Sequence, residues 1–317
     1  MNVSVIIPLY NKSDYIGQCL HSLACQSYQD FEIILVNDCS TDDSLNIVQE
    51  FVSMFGNRLN IVNNEKNLGF SASNNVGLLK ATGIYVYFMD ADDWLEEDAL
   101  YIYISAFNQS HAQVVYNQSY YSINNTETKK MIITDHLLAK RTLVHNDILY
   151  NLDALLNKGE FRNAWTKMCR RDFLINNNIK FPETAINGED YIYVIDVYSK
   201  AKHFVRINKP VYNYRNYNES NTRKHFEKNP QEAVVYWLNS YLKFYNSLLV
   251  MADENNILRE NHYFVYKAAY LHLMFILSKM SKDHLSDVQI YQLLKDTCFE
   301  LNEDFSLFIL SLLVKLL

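Results

Sequence analysis

Glycine and proline are scarce in this chain, 7 and 4 among 317 residues. The first loop, residues 8–17, holds only Gly17. A dinucleotide-dependent oxidoreductase needs G-x-G-x-x-G there, so that backbone can approach a pyrophosphate. A sugar nucleotidyltransferase also needs a glycine-rich first loop, so both classes are set aside. Cysteine is odd in number: Cys19, Cys25, Cys39, Cys169 and Cys298. No C-x-x-C pair occurs, so neither a disulfide framework nor a zinc site is signalled, and a reducing cytoplasm fits best. Positive charge is in deficit, with a formal net charge of −7. That leaves no basic footprint for nucleic acid. An anionic substrate then needs a metal or a few placed cations. Asn2–Pro8 lacks a basic flank and reads as a buried strand, so no signal peptide is expected.

Long apolar runs are missing too. Phe305–Leu317 is apolar apart from Ser306, Ser311 and Lys315. It is too short to span a bilayer, which takes about 20 residues. It reads as a buried last helix, or as a surface helix lying on a membrane or against a second copy.

What is present is a core. Hydrophobic residues make up 49%, with 24 Tyr and 17 Phe. The first hundred residues alternate strand and helix patterns. Val3–Ile7, Phe31–Val36, Leu59–Val62 and Ile84–Met89 read as strands. Ser13 is expected to cap a helix with Ile16, Leu20 and Leu23 inside. Ser40 and Asp43 have capping-box spacing before a helix burying Leu45, Val48 and Val52. Ser71 is expected to open a helix burying Val76 and Leu79, with Gly83 as its stop. This βαβαβαβ order predicts an α/β fold, a mostly parallel twisted sheet with flanking helices, whose ligands bind beyond the carboxyl ends of the strands. Later, Val114–Ile123 reads as a strand pair, and short helices are expected around 153–157 and 171–177. A helical region follows from Pro230.

The strand Ile84–Met89 runs into Asp90-Ala91-Asp92-Asp93. Side chains two apart on an extended backbone point the same way, so Asp90 and Asp92 can converge. Carboxylates that close repel unless a cation lies between them. A hard divalent ion, Mg²⁺ or Mn²⁺, suits such oxygen ligands and arrives with phosphate substrates. The same acids also suit the first turn of a surface helix. Asn187-Gly188-Glu189-Asp190 precedes the apolar-periodic stretch Tyr191–Tyr198 and reads as a capped helix start. Tyr212-Asn213-Tyr214-Arg215 reads as an edge strand.

Taken together these pieces resemble a bacterial family 2 glycosyltransferase of the GT-A fold. The resemblance is carried by Val5–Asn11, Ile33–Asp42, Asn67–Asn74, Met89–Asp93, Ala164–Lys167, Gly188–Asp190, and Tyr214-Arg215 with Ser220 and Thr222. It spans roughly residues 1–225. It implies an inverting enzyme that moves a sugar from a UDP-sugar donor to a hydroxyl of a saccharide or lipid-linked acceptor. Asp38 is implied to contact the uracil, with Pro8, Leu9 and Tyr10 lining the base pocket. Asn67 approaches the nucleoside. Asp90 faces the ribose or the metal's water shell, and Asp92 ligates Mn²⁺ or Mg²⁺. Arg215 belongs to the donor site, and Glu189-Asp190 carries the catalytic base, Asp190.

The expected division is a nucleotide-sugar half at 1–105, an acceptor and base half at 106–225, and a helical C-terminal region at 226–317, which lies beyond the resemblance. Many relatives carry His two places after the arginine, where this chain has Tyr217; His225 is a candidate substitute but reads more readily as a surface histidine, which leaves the third metal ligand open. The implied setting is surface glycan assembly at the inner membrane face, with peripheral membrane association and homo-oligomerisation as further expectations. The rival reading is a catalytically silent protein of the same fold.

Overall fold

Four stretches of aliphatic sequence become the parallel strands of the first half. In the computed structural model the described residues are 1–124, 128–133, 144–145, 147–157, 162–185, 187–216 and 230–280. The chain opens with β1 (Val3–Leu9), α1 (Ser13–Ala24), β2 (Phe31–Asn37), α2 (Ser44–Glu50), α3 (Val52–Phe55) and β3 (Leu59–Asn63). Next come α4 (Phe70–Lys80), β4 (Tyr85–Phe88), β5 (Trp94–Leu95), α5 (Ala99–Asn108), β6 (Val114–Asn117), β7 (Ser119–Asn124) and β8 (Lys129–Ile133). Then follow β9 (Val144–His145), α6 (Ile148–Asn157), β10 (Lys167–Arg170), α7 (Arg171–Asn176), α8 (Glu189–Lys200), β11 (Phe204–Ile207) and β12 (Tyr212–Asn216). Three helices close the described chain: α9 (Pro230–Glu254), α10 (Asn256–Glu260) and α11 (His262–Met280).

These residues fall into two units, Met1–Glu183 with Tyr193–Tyr217, and Thr184–Ile192 with Asn218–Leu317. The larger unit holds an eight-stranded sheet, order β3-β2-β1-β4-β10-β6-β11-β9. From β3 to β4 neighbouring strands are parallel, and β6–β11 is parallel too. β10 runs antiparallel to both β4 and β6. The expected mostly parallel sheet with flanking helices is the fold. The two faces of β1 show why. Val3, Val5, Ile7 and Leu9 join one core with Ile16, Leu20 and Leu23 of α1 and Leu100 and Tyr103 of α5. Ile6 faces the other way, where a Cβ on Gly77 of α4 would lie 2.3 Å from its Cγ2. Each fully buried aliphatic side chain contributes roughly 1.5–3 kcal/mol.

The second sheet, order β5-β12-β7-β8, separates the expected strand pair at 114–123. β6 belongs to the large sheet and β7 to the small one. β12 pairs antiparallel with β5 through Tyr212↔Leu95 and Asn213↔Trp94, and parallel with β7.

Several local readings are corrected. Ser13 is the first residue of α1 and Lys12 holds the cap position; the Ser13 amide donates to Asp42 Oδ2 at 2.9 Å. The Ser40–Asp43 capping box is absent, because Ser40 Oγ accepts from the Asn11 amide instead. The helix after it breaks at Phe51, which shifts the phase, so Phe55 is buried and Val52 is exposed. On α4 the close approach at Gly77 turns Leu78 inward and leaves Leu79 76% exposed. α4 ends at Lys80, before Gly83. Gly83 is required by space: a Cβ there would lie 2.7 Å from the Ser4 amide nitrogen.

The smaller unit is built around α9 and α11. Trp237, Tyr241, Phe244, Tyr245 and Leu248 of α9 are buried, as are Val265, Ala268, Ala269 and Leu273 of α11. Among the described residues no helix is long and apolar enough to cross a membrane. Phe305–Leu317 lies outside the described residues.

Candidate active site

Because β1, β2, β3 and β4 are parallel, their carboxyl ends and following loops share one edge. Two of those loops are stitched together. Asn11, at φ 49°, uses its side-chain oxygen to accept from the Thr41 amide at 2.8 Å. The Lys12 amide donates to Ser44 Oγ at 2.8 Å. Asn tolerates the left-handed conformation better than most residues, which suits it to this turn.

Asp38 follows β2 and is buried. Its Oδ1 accepts from the Leu68 amide and from Asn64 Nδ2, each at 2.8 Å. Its Oδ2 accepts from the Gly69 amide at 2.8 Å. Asn67 is exposed on the same loop and donates to the Asp38 carbonyl at 3.3 Å. Asp38 and Asn67 are thus brought together, with the Asp38 carboxylate anchoring the backbone that presents Asn67. Of the expected base-pocket residues, Tyr10 is 44% exposed, Pro8 is half-buried, and the Leu9 side chain lies in the core.

The acidic loop follows β4. One oxygen each of Asp90, Asp92 and Asp93 lie within 4.8 Å of one another. Asp90 and Asp92 are half-buried; Asp93 is buried. Asp93 falls outside the i, i+2 alternation and turns inward. Its Oδ2 accepts from Tyr212 Oη at 2.7 Å and its Oδ1 from the Arg215 amide at 2.7 Å. Burial, then the neighbouring Asp92 and Asp90 carboxylates, push its pKa well above the usual carboxylate range. The same acids, after burial, raise the Cys19 thiol.

Among the described residues, Lys12 and Arg215 meet this loop. Lys12 Nζ lies 2.6 Å from Asp92 Oδ2. Arg215 Nε donates to the Asp92 carbonyl at 2.9 Å. Its guanidinium lies 4.7 Å from the Trp94 ring centroid and 4.9 Å from that of Tyr15, and it also bonds Gln18. The β5–β12 pairing delivers Arg215 and Tyr212 to a loop far away in sequence. Beneath them Trp165 stacks on Tyr212 at 4.3 Å, which accounts for the Ala164–Lys167 motif as a support.

Sequence reasoning missed Lys12, Tyr15, Gln18, Trp94 and Tyr212 as neighbours of the site. Only Tyr212 had a signal: it lies two residues before Tyr214 on the strand that carries Arg215.

Glu189 and Asp190 belong to the smaller unit. They open α8 behind two left-handed residues, Asn187 at φ 58° and Gly188 at φ 112°. Asn187 Nδ2 donates to Ser240 Oγ at 3.0 Å and Tyr236 Oη at 3.1 Å, both on α9. Thr184 and Ser247 hydroxyls lie 2.7 Å apart. A Cβ on Gly188 would lie 2.7 Å from the Phe244 ring and 2.8 Å from that of His272. The rings of Phe244 and His272 stack at 3.9 Å. α9 and α11 therefore brace the turn that carries the two acids. Burial raises the Glu189 carboxyl above its usual range, against the pull of backbone N–H groups at 187–189. Tyr217, Ser220, Thr222 and His225 lie outside the described residues.

The family model described as "Glycosyl transferase family 2" matches residues 4–175. Glycosyltransferase GlyA of Streptococcus pneumoniae is 28% identical over 296 residues, 92% of this chain and 40% of its own length. The poly(ribitol-phosphate) beta-N-acetylglucosaminyltransferase TarS of Staphylococcus aureus is 28% identical over 263 residues, 82% of this chain and 43% of its own length. The chain thus spans well under half the length of these relatives. The crystal structure of S. aureus TarS 1–349 in complex with UDP-GlcNAc superposes with a TM-score of 0.66 at 25% identity, covering 96% of this chain and 83% of that one.

Proposed function

Because the chain belongs to glycosyl transferase family 2, we propose that it moves a sugar from a UDP-sugar donor to a hydroxyl of a saccharide or lipid-linked acceptor. The observation that carries the reading is the acidic loop at the carboxyl edge of the parallel strands, with Lys12 and Arg215 against it. Support also comes from TarS, whose structure was solved with UDP-GlcNAc.

The donor set fits a divalent cation. Three carboxylates each offer one oxygen within 4.8 Å, which suits a hard ion. Asp92 and Asp90 would hold Mn²⁺ or Mg²⁺, while Asp93 holds the loop in place. When bound, such an ion supplies positive charge that stabilises a leaving diphosphate.

The chain's own residues do the rest. Tyr10, Pro8 and the Leu9 backbone offer one wall for the base, and Asp38 sets the loop that brings Asn67 to the nucleoside. Arg215 is pinned by Trp94, Tyr15 and Gln18 and contributes fixed positive charge to the donor site. Asp190 takes the acceptor hydroxyl's proton as that oxygen attacks the anomeric carbon. Attack from the face opposite the leaving UDP inverts the centre. The 1–105 segment serves the donor, 106–225 serves the acceptor and base and lends Arg215 to the donor site, and α9 and α11 brace the turn that carries the base. We place the activity in surface glycan assembly at the cytoplasmic face of the membrane.

A panel of UDP-sugars, assayed for transfer and hydrolysis with and without Mn²⁺, tests this. Metal-stimulated turnover of one donor is expected. No turnover and no binding across the panel would leave the silent-protein reading in its place.

A further inference from the structure

Lys12 has a fixed backbone and a side chain that ends on a candidate metal ligand. Its amide donates to Ser44 Oγ at 2.8 Å, and its carbonyl accepts from the Tyr15 and Ile16 amides at 3.0 and 2.9 Å. Its ammonium lies 2.6 Å from Asp92 Oδ2, with the two side chains only 21% and 18% exposed. The other lysines on acids of this region, Lys129 on Glu96 and Lys209 on Asp98, are more exposed, 43% and 60%. An ammonium among three clustered carboxylates relieves their mutual repulsion, as a divalent ion would.

Lys12 and Arg215 differ in kind. Arg215 is planar and held between aromatic rings and hydrogen bonds. Lysine is a compact point charge on a flexible stem, which can release one anion and re-aim at another. A diphosphate bound through an ion on Asp92 would come near the Lys12 ammonium, which lies 2.6 Å from that carboxylate.

We propose that Lys12 is an exchange cation: it neutralises Asp92 while no divalent ion is there, and it turns its ammonium onto the donor's diphosphate once the ion takes Asp92. This rests on the reading of the acidic loop as the donor site. It predicts opposite signs for one substitution. Lys12→Met removes a competitor of the metal and a partner of the diphosphate.

Isothermal titration of the full chain tests it, using Mn²⁺ alone, then UDP at saturating Mn²⁺, then uridine as a ligand without phosphate. Lys12→Met should bind Mn²⁺ alone about 3-fold or more tightly than wild type and bind UDP about 10-fold more weakly, as for loss of a charge-assisted bond. Uridine binding should not change, and Lys12→Arg should restore part of the UDP affinity. Unchanged or weaker Mn²⁺ binding by Lys12→Met overturns the exchange. So does unchanged UDP binding. Asp92→Asn separates the two levels. If it binds Mn²⁺ like wild type, or if wild type binds neither Mn²⁺ nor UDP, the donor-site reading itself is wrong and the exchange goes with it.

Discussion

At the scale of single residues, three adjacent aspartates divide their tasks by direction. Asp93 spends both oxygens on Tyr212 and the Arg215 amide and locks the loop. Asp90 and Asp92 stay half-buried at the strand edge. Alternation along the chain made that pair legible from sequence, because side-chain direction in extended backbone has period two. Lys12 was not legible, since nothing local says where a lysine's long side chain ends. Asp190 is given the proton-removing role by its place in the Gly188–Asp190 motif. Asp190→Asn should keep UDP affinity while transfer falls by about 10²-fold or more. Parallel titration and initial-rate measurements check this, and near wild-type transfer would point to another base.

Elements explain what the sequence could not show. The β1–β4 alternation was readable because each segment carries its own period. The β5–β12 pairing was not, because it joins two short strands over a long separation with no local signature. Helix phase failed where packing overrode propensity, at the Phe51 break and at Gly77. Two tests belong to this scale. The turn before α8 sets a left-handed glycine against two stacked rings. Gly188→Ala is expected to destabilise the protein by about 2–3 kcal/mol, from backbone strain plus overpacking, measured by urea unfolding. A stability equal to wild type would show that Phe244 and His272 give way freely.

The second test concerns Glu32, which ties β2 to Ser4 of β1 and to the turn before β4. Its Oε1 accepts from Ser4 Oγ at 2.6 Å, the Thr82 hydroxyl at 2.7 Å and the Thr82 amide at 2.8 Å. Burial pushes its carboxyl up, but these bonds outweigh it and hold the pKa below the usual range. A folded pKa lower than the unfolded one stabilises above the unfolded value and is lost as pH falls through the folded value. Glu32→Gln should therefore cost about 1–3 kcal/mol at neutral pH, with the gap to wild type closing in acid below pH about 4. A gap independent of pH would mean that the charge plays no part.

For the whole molecule, the proposed donor site and the proposed base lie in different units. Asp92 and Arg215 lie in the larger unit, Glu189 and Asp190 in the smaller. Loss of binding and loss of turnover should therefore separate by mutation. The central claim is that the acidic loop after β4 is a metal-dependent site for a nucleotide diphosphate. Its most direct test is isothermal titration of UDP, with and without Mn²⁺, into wild type and Asp92→Asn, with thermal melts confirming that both are folded. Wild type should bind UDP at least about 10-fold more tightly with Mn²⁺, and Asp92→Asn should lose that gain. The same Mn²⁺-dependent gain in both proteins would contradict the account.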